Sequence, residues 1–114
     1  MSGVSIHVLD LANGQPAVGL PVLLEVKNFP GAWKLLAKGQ TDADGRVADL
    51  ASNTLRLQAG TYRLTFDVAT YFRSHNLTSL YPEIIVVFSI RHTGQHYHIP
   101  LLLSPYSYTV YRGS

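Results

Sequence analysis

Alternation of apolar and polar residues runs through most of this chain. Val4, Ile6 and Val8 fall on one face of an extended segment, and Ser5, His7 and Leu9 on the other. That period of two is the signature of a half-buried strand. Asn13-Gly14 closes the segment with a turn pair. Pro21 to Lys27 reads as a second strand and Trp33 to Gln40 as a third. Asp44-Gly45 is a hairpin signal, and it leaves Arg46 at the start of a short fourth strand. From Gly60 the alternation is clear: Tyr62, Leu64, Phe66 and Val68 point inward, and Thr61, Arg63, Thr65 and Asp67 outward. Ala69 to Asn76 is the one good helix candidate, and it is short. Beyond Pro82, Glu83 to His92 reads as a strand apolar on both faces near its middle. Gln95 to Leu103 follows as another strand. After Ser104-Pro105 a final strand opens at Tyr106 and is expected to stay ordered almost to the last residue.

Seven or eight short strands separated by turn signals predict an all-β fold, a β-sandwich. A closed barrel of the lipocalin kind fits the pattern but usually needs a longer chain. With 114 residues, no internal repeat and no linker, residues 1–114 are expected to form a single domain. A hydrophobic share of 46% suits an ordinary globular core. So short a chain has little surface to spare for a deep private pocket, and a site shared between subunits is expected.

Charge and composition exclude more than they suggest. The formal net charge is +2, and the positive residues are scattered; no basic run points to nucleic acid. The absence of cysteine removes thiol catalysis, disulfides and cysteine-ligated zinc. No apolar stretch approaches membrane-spanning length. The first residues enter a strand pattern directly, without the layout of a secretion signal, and the final Arg-Gly-Ser is unlike a peroxisomal address. The expected location is the cytoplasm.

Candidate chemistry sits near both ends and in the middle of the chain. His96 and His98, two apart on a strand, project from one face. His-x-His is a metal-ligand spacing, and His7 could supply a third ligand; two solvent-facing histidines or metal-free catalysis fit the same pattern. Arg46 follows a tight turn, where a side chain is readily aimed. Asp42 and Asp44 lack the spacing and closing Glu of a calcium loop. In the terminal Tyr111-Arg112-Gly113-Ser114, Tyr111 and Gly113 should share one face and Arg112 the other, and Gly113 permits a close backbone approach.

Taken together, SIHVLDLANGQPAVGLPV, TDADGRV, LYPEIIVVF and HYHIPLLLSPYSYTVYRGS resemble the 5-hydroxyisourate hydrolases, the transthyretin-like enzymes of urate breakdown. The resemblance covers essentially the whole chain, and the HYHIPLLLSP run and terminal YRGS are its specific parts. It implies a transthyretin-like (prealbumin-like) sandwich of two four-stranded sheets with one short helix. It further implies a homotetramer, a dimer of dimers, with active sites in a channel between dimers.

The implied activity is that of a cyclic amidohydrolase that opens the ring of 5-hydroxyisourate without metal or cofactor. The resemblance places the family's functional positions on His7, Arg46, His98 and the terminal tetrapeptide. His7 or His98 would be the base for water, and Arg46 would bind and polarise substrate oxygens. Tyr111, Arg112 and Gly113 would help bind the substrate. Ser114 joins the catalytic set, with the terminal carboxylate, as an organiser of neighbouring donors. A covalent Ser114 intermediate is not expected, since no base is placed by sequence to activate it. His96 receives no catalytic role. Two other readings stay open: a transthyretin-like carrier of a small ligand, and a zinc hydrolase using His7, His96 and His98.

Overall fold

The computed structural model describes residues 3–28, 30–51 and 57–113. Strand β1 (Gly3–Asp10) lies inside one of two sheets. Along one edge it pairs antiparallel with β2 (Gln15–Pro16) and with β5 (Arg46–Ala51). Its other edge pairs in parallel, over its whole length, with β8 (His96–Ser104). Outside β8 lies antiparallel β9 (Ser107–Val110). The second sheet is antiparallel, in the order β4 (Trp33–Gln40), β3 (Pro21–Lys27), β6 (Gly60–Phe66), β7 (Ile84–Ile90). The architecture is thus two sheets of four main strands, with two-residue β2 extending the line of β5 beside β1.

The core forms where the apolar halves of the alternations meet. Val4, Ile6 and Val8 of β1 and Tyr97, Ile99, Leu101 and Leu103 of β8 face Val22, Leu24, Tyr62, Leu64, Phe66 and Ile84 of the second sheet, all buried. Each such aliphatic or aromatic side chain contributes about 1.5–3 kcal/mol by leaving water. The opposite halves of β1 and β8 then face outward together. The parallel register sets Ser5 beside His98 and His7 beside Pro100, so the beginning and the end of the chain share one outer face.

Several boundaries shift by one or two residues from the sequence expectation, and two of the shifts change an element. Val68 is buried, as expected, but in the helix rather than the strand: β6 stops at Phe66 and α1 spans Val68–Ser74. The reason is Asp67, whose carboxylate accepts the Thr70 amide at 3.2 Å and caps the helix. α1 buries Val68, Tyr71 and Phe72. The Tyr71 hydroxyl donates to buried Asp10 Oδ2 at 2.6 Å, fastening the helix to β1. The last strand also ends early, at Val110. Tyr111 and Arg112 lie outside regular structure, and the chain regains the sheet through a single bridge between Gly113 and His98. Ser114 lies outside the described residues. Among the described residues, no helix is long and apolar enough to cross a membrane.

Candidate active site

The outward face of β1, β5 and β8 carries the cluster. His98 is half-buried on β8, two residues from exposed His96. Between them and β1 stands Ser5, only 8% exposed. Its Oγ lies 2.7 Å from His96 Nε2 and 2.8 Å from His98 Nδ1. One hydroxyl therefore bridges two imidazoles, leaving Nε2 of His98 without a partner among the described residues. His7, also on β1, is half-buried.

Arg46 reaches the same face through a tightly specified turn. Gly45 has φ +74°, a conformation that favours glycine, and a Cβ there would fall 2.5 Å from the Val8 carbonyl oxygen. Gly45 O accepts the Val8 amide at 2.8 Å. Asp42 Oδ1 accepts the amides of Asp44 at 2.9 Å and Arg46 at 3.0 Å. These amide hydrogen bonds hold the Asp42 carboxyl below the usual carboxylate range. The turn thereby fixes Arg46 directly opposite His7 in the β1–β5 ladder.

Ser5, Ile6, Arg46, Ala48, His96 and His98 line a cavity of about 310 Å³. Burial, followed by the charges of Arg46, His7 and His96, lowers the pKa of His98 from its ordinary value of 6.5. An imidazole in this setting stays neutral near pH 7 and accepts a proton, while Arg46 offers a permanent positive donor. The arrangement suits activation of a water molecule against an oxygen-rich small molecule.

The fold and this site lead to a family. A model of the HIUase/Transthyretin family matches residues 4–113. The chain belongs to this family. Among its HIUase/Transthyretin relatives is a 5-hydroxyisourate hydrolase of Salmonella dublin, 46% identical over 111 residues, covering 97% of this chain and 80% of the relative. Sea bream transthyretin, in a structure titled as a complex with thyroxine, superposes with a TM-score of 0.91 at 32% identity, covering 96% of this chain and 93% of that one. A Klebsiella pneumoniae 5-hydroxyisourate hydrolase superposes with a TM-score of 0.84 at 33% identity, covering 97% and 98% of the two chains.

On this HIUase/Transthyretin scaffold the expected site residues divide. His7, Arg46 and His98 come together on one face, and Gly113 lies against His98, its amide donating to the His98 carbonyl at 2.8 Å. Tyr111 is 52% exposed and follows β9 without lining the cavity. Arg112 takes another direction: its guanidinium carbon stacks 4.3 Å from the ring centre of Tyr97, whose side chain belongs to the core face. Arg112 also donates to Gln95 Oε1 at 3.1 Å and to the His96 carbonyl at 3.3 Å. Ser114, being outside the described residues, has no placement. Among the described residues, no group of three or more His, Cys, Asp or Glu side chains is arranged to hold a metal ion. Ser5 is the site residue that sequence reasoning passed over. Its shared face with His7 was visible, but its place beside His98 depends on a strand register that spacing along the chain does not reveal.

Proposed function

We propose that this chain hydrolyses 5-hydroxyisourate, opening its ring to 2-oxo-4-hydroxy-4-carboxy-5-ureidoimidazoline in urate degradation. The observation that carries the reading is the meeting of Arg46 and His98 around one cavity, with His7 paired to Arg46 on the same sheet face, in a chain 46% identical to a Salmonella hydrolase of that name.

His98 Nε2 takes a proton from water, and the resulting hydroxide adds to a ring carbonyl. Arg46 stabilises the oxygen that becomes negative. The tetrahedral carbon then expels the ring nitrogen as the C–N bond breaks, and the proton held by the imidazole passes to that nitrogen. His7, opposite Arg46, orients the water or the substrate. Gly113 backs the His98 ring from the end of the chain, while Tyr111 and Arg112 stand outside the cavity lining. No metal or cofactor takes part. The chain works as a homotetramer, a dimer of dimers, in which a second copy covers the cavity. Support for that assembly is the position of the site on an outer sheet face, in a chain that also exposes apolar Leu11 just past β1 and Val18 just past β2.

Transthyretin's likeness favours a carrier as second reading, since fold does not fix function. A carrier of an apolar ligand needs an apolar lining; this cavity presents two histidines, a serine and an arginine. Mixing the purified protein with freshly generated 5-hydroxyisourate and following ultraviolet absorbance separates the two. Hydrolysis predicts decay faster than the spontaneous rate. Decay at the spontaneous rate would leave the carrier.

A further inference from the structure

The Ser5 hydroxyl is placed unlike an ordinary buried serine. It satisfies itself with two imidazoles from the neighbouring strand, 2.7 Å and 2.8 Å away. A hydroxyl has one hydrogen to give. With both rings neutral it donates to one histidine and accepts from the other, so the two tautomers are linked. We propose that Ser5 is a positioning residue that joins His98 to His96 as one proton-sharing unit, with His96 as the outer holder of the charge that arises during the reaction.

In the starting state, His98 Nδ1–H donates to Ser5 Oγ, and the Ser5 hydroxyl donates to His96 Nε2. Nε2 of His98 is then bare toward the cavity, as a base requires. When Nε2 takes the proton from water, the Nδ1 proton moves to Ser5 Oγ and the Ser5 proton moves to His96 Nε2. His98 is again neutral, now with Nε2–H, and His96 carries the positive charge. Donation of that Nε2 proton to the leaving nitrogen runs the two inner transfers backward. Atoms and charge balance, and Ser5 is unchanged.

The surroundings set the direction. His98 is half-buried and faces Arg46 from β5, His7 from β1 and His96 on its own strand. From the β9 side the Gly113 backbone meets it. A full positive charge is disfavoured there, whereas His96 is exposed to water. The chain therefore offers a better-solvated place for the charge one hydroxyl away.

The kinetic consequence rests on the hydrolase reading; the tautomer does not. Long-range proton–nitrogen NMR on protein labelled at histidine nitrogen reads both rings. Expected in the wild type is Nδ1–H on His98 when both rings are neutral. Ser5→Ala should return His98 to the Nε2–H form, and Ser5→Thr should restore the wild-type tautomer. In the ultraviolet assay, Ser5→Ala and His96→Gln should lower kcat by about 10- to 100-fold with little change in KM, less than the ~10²–10⁴-fold contribution of a general base itself. Identical His98 tautomers in wild type and Ser5→Ala would overturn the proposal, whatever the activity. A wild type with the expected tautomers but no turnover would overturn the hydrolase reading and leave the proton-sharing unit standing.

Discussion

A Cβ added at Gly113 would lie 2.6 Å from His98 Cδ2 and 3.1 Å from Pro100 Cγ. The glycine is thus a condition for the ring position rather than a loose chain end. Gly113→Ala should displace the imidazole, and because misplacing a catalytic group by about 1 Å can cost 10²-fold, kcat/KM should fall by roughly that factor. Thermal unfolding should change little, since the added methyl lies outside the core; unchanged kcat/KM would show that the ring has room. Arg46→Ala removes a charge-stabilising donor and should reduce turnover by about 10²–10³-fold with folding intact. It also removes a charge that opposes protonation of His98. In an NMR titration His98 should have its midpoint below 6.5 in the wild type and nearer that value in Arg46→Ala. A depressed midpoint means that the unfolded chain binds the proton more readily. The stability from neutral His98 is therefore complete above pH 6.5 and is lost as pH falls through the lowered folded value.

At the level of elements, two joints hold the site's strands. The Asp42 turn aims Arg46, and its carboxyl titrates below 3.8 because amide hydrogen bonds favour the charged form. Asp42→Ala should lower the melting temperature above that pH. The gap to wild type should close as pH falls through the lowered folded value, because protonation then removes the same interaction; a gap independent of pH would contradict the assignment. The second joint is the Tyr71–Asp10 hydrogen bond between α1 and β1. Tyr71→Phe leaves one oxygen of a buried carboxylate without its donor and should cost about 1–3 kcal/mol in denaturant unfolding. The elements themselves were legible because period-two alternation marks strands directly: β3 and β4 lie at the expected bounds. Val68 reads as strand because it continues the inward alternation of Tyr62, Leu64 and Phe66; only the side-chain cap of Asp67 reveals the switch to helix. The early end of β9 at Val110 was hidden in the same way, because Tyr111 keeps the aromatic pattern of a strand.

Across the whole molecule, the parallel pairing of β1 with β8 is what turns residues some ninety positions apart into neighbours. Local pattern could place His7 and His98 on outward faces, but not next to one another, since register between distant strands is set by the assembled core. The likeness of motifs supplied what periodicity could not: it singled out His7, Arg46 and His98 together. It gave no role to Ser5, whose contacts exist only in three dimensions. The proposal that this imidazole face is a hydrolytic site is tested most directly by the ultraviolet decay of freshly generated 5-hydroxyisourate with wild type and His98→Ala side by side. Fast decay with the wild type and near-spontaneous decay with the variant is the predicted result. Equal rates for the two proteins would contradict it.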